Sequence, residues 1–272
     1  MKHDNARKIQ TISNEDVFVQ SKSRQMLNKV PEITIFFWII KILATTVGET
    51  AADFLNTNLN LGLTITTFIM SGLLIITMFF QFKSNKYVPS IYWLAVVLIS
   101  IVGTLVTDNL VDNFKVPLEA TTIIFLIALI LTFMVWYASE KTLSIHSIYT
   151  TNREAFYWFA ILFTFALGTA AGDLTAERLN LGYWESAVIF ASMISVVATA
   201  FYRIKLNSVV AFWIAYILTR PLGATLGDFL SQSHDHGGLA LGTVETNEIF
   251  LIAILSIVIY LTITKKDQSQ II

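Results

Sequence analysis

Four aspartates, Asp53, Asp108, Asp173 and Asp228, each stand at the end of an apolar stretch. Each closes the same skeleton of a Trp, nine residues, a Gly, four residues and the Asp. The copies are FWIIKILATTVGETAAD (37–53), YWLAVVLISIVGTLVTD (92–108), YWFAILFTFALGTAAGD (157–173) and FWIAYILTRPLGATLGD (212–228). One helical turn before each aspartate stand Glu49, Thr104, Thr169 and Ala224, on the same face of a helix. Carboxylates and hydroxyls are hard oxygen donors, suited to Mg²⁺, Ca²⁺, Mn²⁺, Na⁺ or H⁺ rather than to zinc or copper. A carboxylate in a bilayer costs roughly 2.5–3.5 kcal/mol on insertion scales. Four in one layer therefore call for a cation or protons among them. The structural alternative is that they cap the next turn, reach the headgroup region or pair with a buried cation.

Two such cations share these stretches. Lys41 lies eight residues before Glu49, and Arg220 eight before Asp228. Each reads as an internal counter-ion that keeps its half neutral until a substrate cation arrives. Gly48, Gly103, Gly168 and Gly223 let backbones approach closely, as do the small residues directly before each aspartate. The aspartate-bearing stretches are therefore expected to pack on one another. Unwinding at a binding site is the other use of such glycines, best supported where Pro221 removes a backbone hydrogen bond beside Gly223. The four tryptophans lie about 22 Å from the aspartates along a helix. They read as an interfacial aromatic belt or as an inner gate.

Farther out, Glu119, Glu185 and Glu248 open the intervening stretches. There they complement a helix dipole or form an outer vestibule attracting cations. His234, Asp235 and His236 lie in the loop SHDHGG. Alternating histidines can chelate a transition metal; a solvent-exposed loop and a lid are the other readings.

The elements that must hold these residues are membrane helices. Of the 272 residues 55% are hydrophobic and 14% charged, against about 25% charged in soluble domains. There is no cysteine, which excludes disulfides and thiolate metal sites. A net charge of −1 gives no argument for nucleic acid. Eight stretches reach the roughly 20 apolar residues a span requires: 34–55, 63–82, 91–111, 118–138, 155–176, 183–202, 209–230 and 247–264. They are continuously apolar rather than alternating, which argues against a β-barrel. Fourteen of the eighteen Lys and Arg fall on the side of the termini. Only Lys115 and Arg178 fall opposite, and Lys41 and Arg220 lie within spans. Both termini are therefore expected to be cytoplasmic.

The aspartates are spaced by 55, 65 and 55 residues, so the two halves superpose at an offset of 120. One unit is two helices, and every unit enters the membrane in the same direction. The fold class is thus an all-α membrane protein of eight transmembrane helices in four parallel two-helix repeats, N-in and C-in. The expected divisions are a polar arm (1–32) without a cleavable signal, a first half (33–139), a cytoplasmic linker (140–154), a second half (155–264) and a tail (265–272).

The fourfold Gly…Asp unit, fullest in GTAAGDLTAERLNLG (168–182), resembles a bacterial family of repeat-containing integral membrane proteins of unknown function. The resemblance covers residues 33–264 and implies a multi-pass protein of the bacterial inner membrane, without a substrate. The residues themselves point to a secondary transporter or exchanger for an inorganic cation such as manganese, magnesium or calcium, coupled to protons or sodium. No P-loop motif is present to use ATP. The expected partners are the lipid bilayer and a small cation as substrate, with no covalent cofactor, no nucleic acid, and room for a homo-oligomer. Three alternatives stand beside this. One is proton-coupled transport of a small organic cation held by aromatic faces. Another is a membrane scaffold or sensor. The last is an intramembrane aspartyl protease, whose signature AGD (171–173) and LGD (226–228) only partly match.

Overall fold

The apolar runs fold as helices throughout. The computed structural model describes residues 28–268 and contains α1 (Ile35–Asp53), α2 (Leu63–Lys83), α3 (Pro89–Asp108), α4 (Leu118–Glu140), α5 (Thr151–Asp173), α6 (Tyr183–Ile204), α7 (Ser208–Ser231) and α8 (Thr243–Thr264). Thr34, Thr150 and Asn207 cap α1, α5 and α7 by accepting from backbone N–H groups of the first turn. Pro89 starts α3, where its missing N–H is harmless. All eight helices are long and apolar enough to cross a membrane, so the chain is a multi-pass membrane protein. Following the Lys and Arg distribution, the face carrying the chain ends is termed inner.

The odd helices form a closed ring in which α1 packs on α3, α3 on α5, α5 on α7 and α7 on α1. The even helices surround it, with α2 against α3, α4 against α5, α6 against α7 and α8 against α1. Between 61% and 78% of the apolar window is buried in each odd helix, against 11% to 28% in each even one. The even helices thus offer their surfaces to lipid and the odd ones make the core. The sequence unit is an odd helix and the even helix after it. In space, each unit hands its even helix to the next odd helix, and the last closes on the first.

The glycines set this ring. A Cβ on Gly48 would overlap the Ser100 side chain, on Gly103 the Phe165 side chain, on Gly168 the Arg220 side chain, and on Gly223 the Thr45 side chain. Thr45, Ser100, Phe165 and Arg220 occupy one repeat position. Each glycine therefore receives that residue of the next odd helix, and the fourth receives the first. Close packing, rather than unwinding, is their use here; α7 runs unbroken through Pro221.

The structure departs from the sequence reading at the aspartates. Past Asp53, Asp108 and Asp173 the helices widen into single π turns, Phe54–Asn58, Asn109–Asn113 and Leu174–Arg178. The fourth copy stays α-helical to Ser231 and then enters the SHDHGG loop. The inner face also differs, because Asn28, Lys29 and Val30, at the end of the expected surface arm, are buried. The arm before residue 28 lies outside the described residues.

Candidate cation site

Each odd helix carries its functional residues one turn apart, so the repeats stack in layers along the ring. From the inner face outward come the tryptophans, then Lys41 with Tyr216, then Thr45/Ser100/Phe165/Arg220, then Glu49/Thr104/Thr169/Ala224, then the aspartates. Fourfold symmetry is broken in the fourth copy. Ala224 has nothing to offer its layer, and the Arg220 side chain, from one turn earlier, reaches into it. Arg220 Nη2 donates to Glu49 Oε2 at 3.0 Å, to Thr169 Oγ1 at 2.6 Å and to Thr104 Oγ1. Its Nη1 donates to the Thr45 carbonyl at 2.8 Å and its Nε to the Phe165 carbonyl at 3.3 Å. The guanidinium is fully buried and satisfied by all three other odd helices. This suits a planar group with five donors in a fixed fork.

That geometry corrects two expected pairings. Arg220 does not meet Asp228, and Lys41 does not meet Glu49. Eight helical residues rise about 12 Å, beyond the reach of either side chain along its own helix, whereas Glu49 lies on α1, the helix packed against α7. Lys41 is also completely buried, but its Nζ has no hydrogen-bond partner. It rests 3.9 Å from the centre of the Phe165 ring and 4.3 Å from that of Tyr216.

On the outer side of the arginine the carboxylates gather. Oxygens of Glu49, Asp173 and Asp228, from α1, α5 and α7, lie within 4.8 Å of one another. Among the described residues this is the one group of three carboxylate or imidazole ligands with metal-binding geometry. Glu49 thus belongs both to the arginine's ion pair and to the acidic triad. Asp53 stands outside the triad and accepts from Gln232 Nε2 at 3.4 Å. Asp108 also stands outside it. Glu177, one turn past Asp173, is held by the Tyr183 hydroxyl at 3.0 Å. Sequence reasoning missed Glu177, Tyr183 and Gln232, which lie beyond the repeated skeleton.

The outermost candidates are separate from this cluster. Glu119 pairs with Arg178 at 2.8 Å on the exposed surface. Glu185 folds back on its N-cap Gly182, as Glu245 does on Gly242. Glu245, not Glu248, is therefore the repeat partner of Glu185, since α8 begins four residues earlier than the hydropathy suggested. His234 and His236 use a ring nitrogen locally, on the Gly238 carbonyl and the Ser233 hydroxyl, both at 2.9 Å, and Asp235 is exposed beside them. This loop shows no metal-binding group. At the inner end Trp93, Trp158 and Trp213 are buried within an aromatic cluster with Tyr92, Tyr157 and Tyr216, rather than forming a lipid-facing belt.

A family described as a Repeat of Unknown Function (DUF347) matches the chain four times, at residues 36–87, 91–142, 156–207 and 211–267. The chain belongs to the DUF347 repeat family. Each DUF347 repeat contains one tryptophan-to-aspartate helix and the even helix after it, so its boundaries are those of the sequence unit and not of the packed pair. No curated protein and no solved structure matches the chain.

Proposed function

We propose that the protein is a secondary transporter or exchanger for a small inorganic cation, working in the bacterial inner membrane. The observation that carries this is the convergence of Glu49, Asp173 and Asp228 from three helices, with carboxylate oxygens within 4.8 Å of one another. Three carboxylates within ligand distance repel one another unless a cation or protons intervene. Oxygen donors of this kind favour magnesium, calcium or manganese. Arg220 supplies the competing charge. A cation that takes Glu49 must take it from the arginine, whose hydroxyl and carbonyl partners remain to hold it. Entry of the cation and movement of the guanidinium are then one event, and proton or sodium exchange would supply the energy.

A second reading, transport of a small organic cation, is favoured by Lys41. Its amine against Phe165 and Tyr216 is the kind of contact that an organic ammonium makes with aromatic faces. Flux into proteoliposomes separates the two. Divalent-cation uptake abolished by Glu49→Gln supports the inorganic reading. Methylammonium uptake without divalent flux would replace it with the organic one.

A further inference from the structure

The inner face is tied shut by contacts that the aspartate layer does not need. Lys29 Nζ donates to Glu154 Oε2 at 2.6 Å and to the Phe82 carbonyl at 3.0 Å. Gln81 Nε2 donates to Glu154 Oε1 at 3.0 Å, and the Lys29 N–H bonds the Ile148 carbonyl. A second knot joins the Tyr87 hydroxyl to Asp267 Oδ2 at 2.6 Å, and the Glu32 N–H to the Asp267 carbonyl. Residues 28–32 therefore cross the inner face as a strap. They join the end of α2, the start of α5, the α4–α5 loop and the segment after α8. Glu154 is fully buried, as are the tyrosines beneath, where Tyr92 on α3 and Tyr157 on α5 share a hydrogen bond. On the opposite side, Asp53, Asp108 and Asp173 remain partly accessible. The ring is thus closed inside and more open outside.

We propose that this strap is the inner gate. Lys29 and Glu154 latch residues 28–32 across the inner mouth, and their separation opens the path from the cytoplasmic side to the carboxylate triad. The inference rests on the transporter reading for what the opening serves, but the opening itself needs no substrate. A buried ion pair suits a latch. While whole it is satisfied, and once one partner is removed the other is left buried and uncompensated, which drives the strap off. Burial also holds the Asp267 carboxyl above its ordinary range, with Tyr87 donating to it.

The chain has no cysteine, so one introduced thiol reports access. Val96, buried on α3 in the layer of Lys41, is the position to replace. Val96→Cys is placed in wild type, in Glu154→Gln and in the double variant Lys29→Met with Glu154→Gln, which leaves no lone buried charge. Each is then exposed to a membrane-impermeant maleimide from the inner side. Labelling at least about tenfold faster in either strap variant than in the wild-type background is expected. Equal labelling in all three, with the double variant still monodisperse, would overturn the gate. Because no cation is added, a failed gate leaves the triad reading untouched. Faster labelling without any divalent flux would retire that reading and keep the gate.

Discussion

Arg220 is the residue on which the centre of the molecule turns. Its five hydrogen bonds reach Glu49, Thr45, Thr104, Phe165 and Thr169 on three other helices. Arg220→Met would leave Glu49 buried without its ion pair, a loss of about 3–5 kcal/mol. Adding Glu49→Gln to Arg220→Met should recover part of that loss. Thermal unfolding of the two single variants and the double gives the coupling directly, and additive losses would deny the pair its structural role. The members of the central layers were legible in the sequence because the repeats align them: Glu49, Thr104 and Thr169 stand one turn before their aspartates. Their partners were not legible. Spacing within one helix suggested Asp228 for Arg220 and Glu49 for Lys41, but the true neighbours come from the other helices of the ring, which only the closed packing defines.

At the scale of elements, the glycines explain why four helices meet so closely. Gly223 faces the Thr45 side chain, so Gly223→Ala should force α7 off α1. The expected destabilisation is about 1–3 kcal/mol, read as a lower thermal midpoint; an unchanged midpoint would mean the ring is not set by this contact. The spans and their order were readable from continuous apolar runs. The π turns after three aspartates were not, because one widened turn leaves no periodic mark in sequence. The outer turns were half legible. LNLG recurs at 59–62 and 179–182, and in both copies the Asn is left-handed and the Gly has positive φ. The segment LALG (239–242) takes the same shape with Ala240 left-handed. The substitution hid the third copy, and with it the true start of α8 and the role of Glu245.

For the whole molecule, the consequence of the fold is circular dependence. α4 packs on α5 and α8 on α1, so each half of the chain covers a helix of the other. A first half ending in the loop after Glu140 is therefore expected to be unstable when expressed alone. It should be rescued by co-expression with the second half, the two copurifying as one complex. Two halves that fold and purify separately would contradict the ring. The repeat count and parallel direction followed from aspartate spacing, but the handing of each even helix to the next unit could not, since the even helix packs on the odd helix of the following repeat and not on the one in its own.

The central claim is that Glu49, Asp173 and Asp228 hold a cation. The most direct test is thermal stability of the purified protein titrated with Mg²⁺, Ca²⁺, Mn²⁺, Na⁺ and Zn²⁺, beside Asp173→Asn. Binding to the folded state at a hundred times Kd adds about 2.7 kcal/mol. The expected result is a concentration-dependent rise with a hard divalent cation that disappears in Asp173→Asn, while the variant without added cation remains folded. A rise of equal size in the variant, or none with any cation in the wild type, would contradict a cation site at the triad.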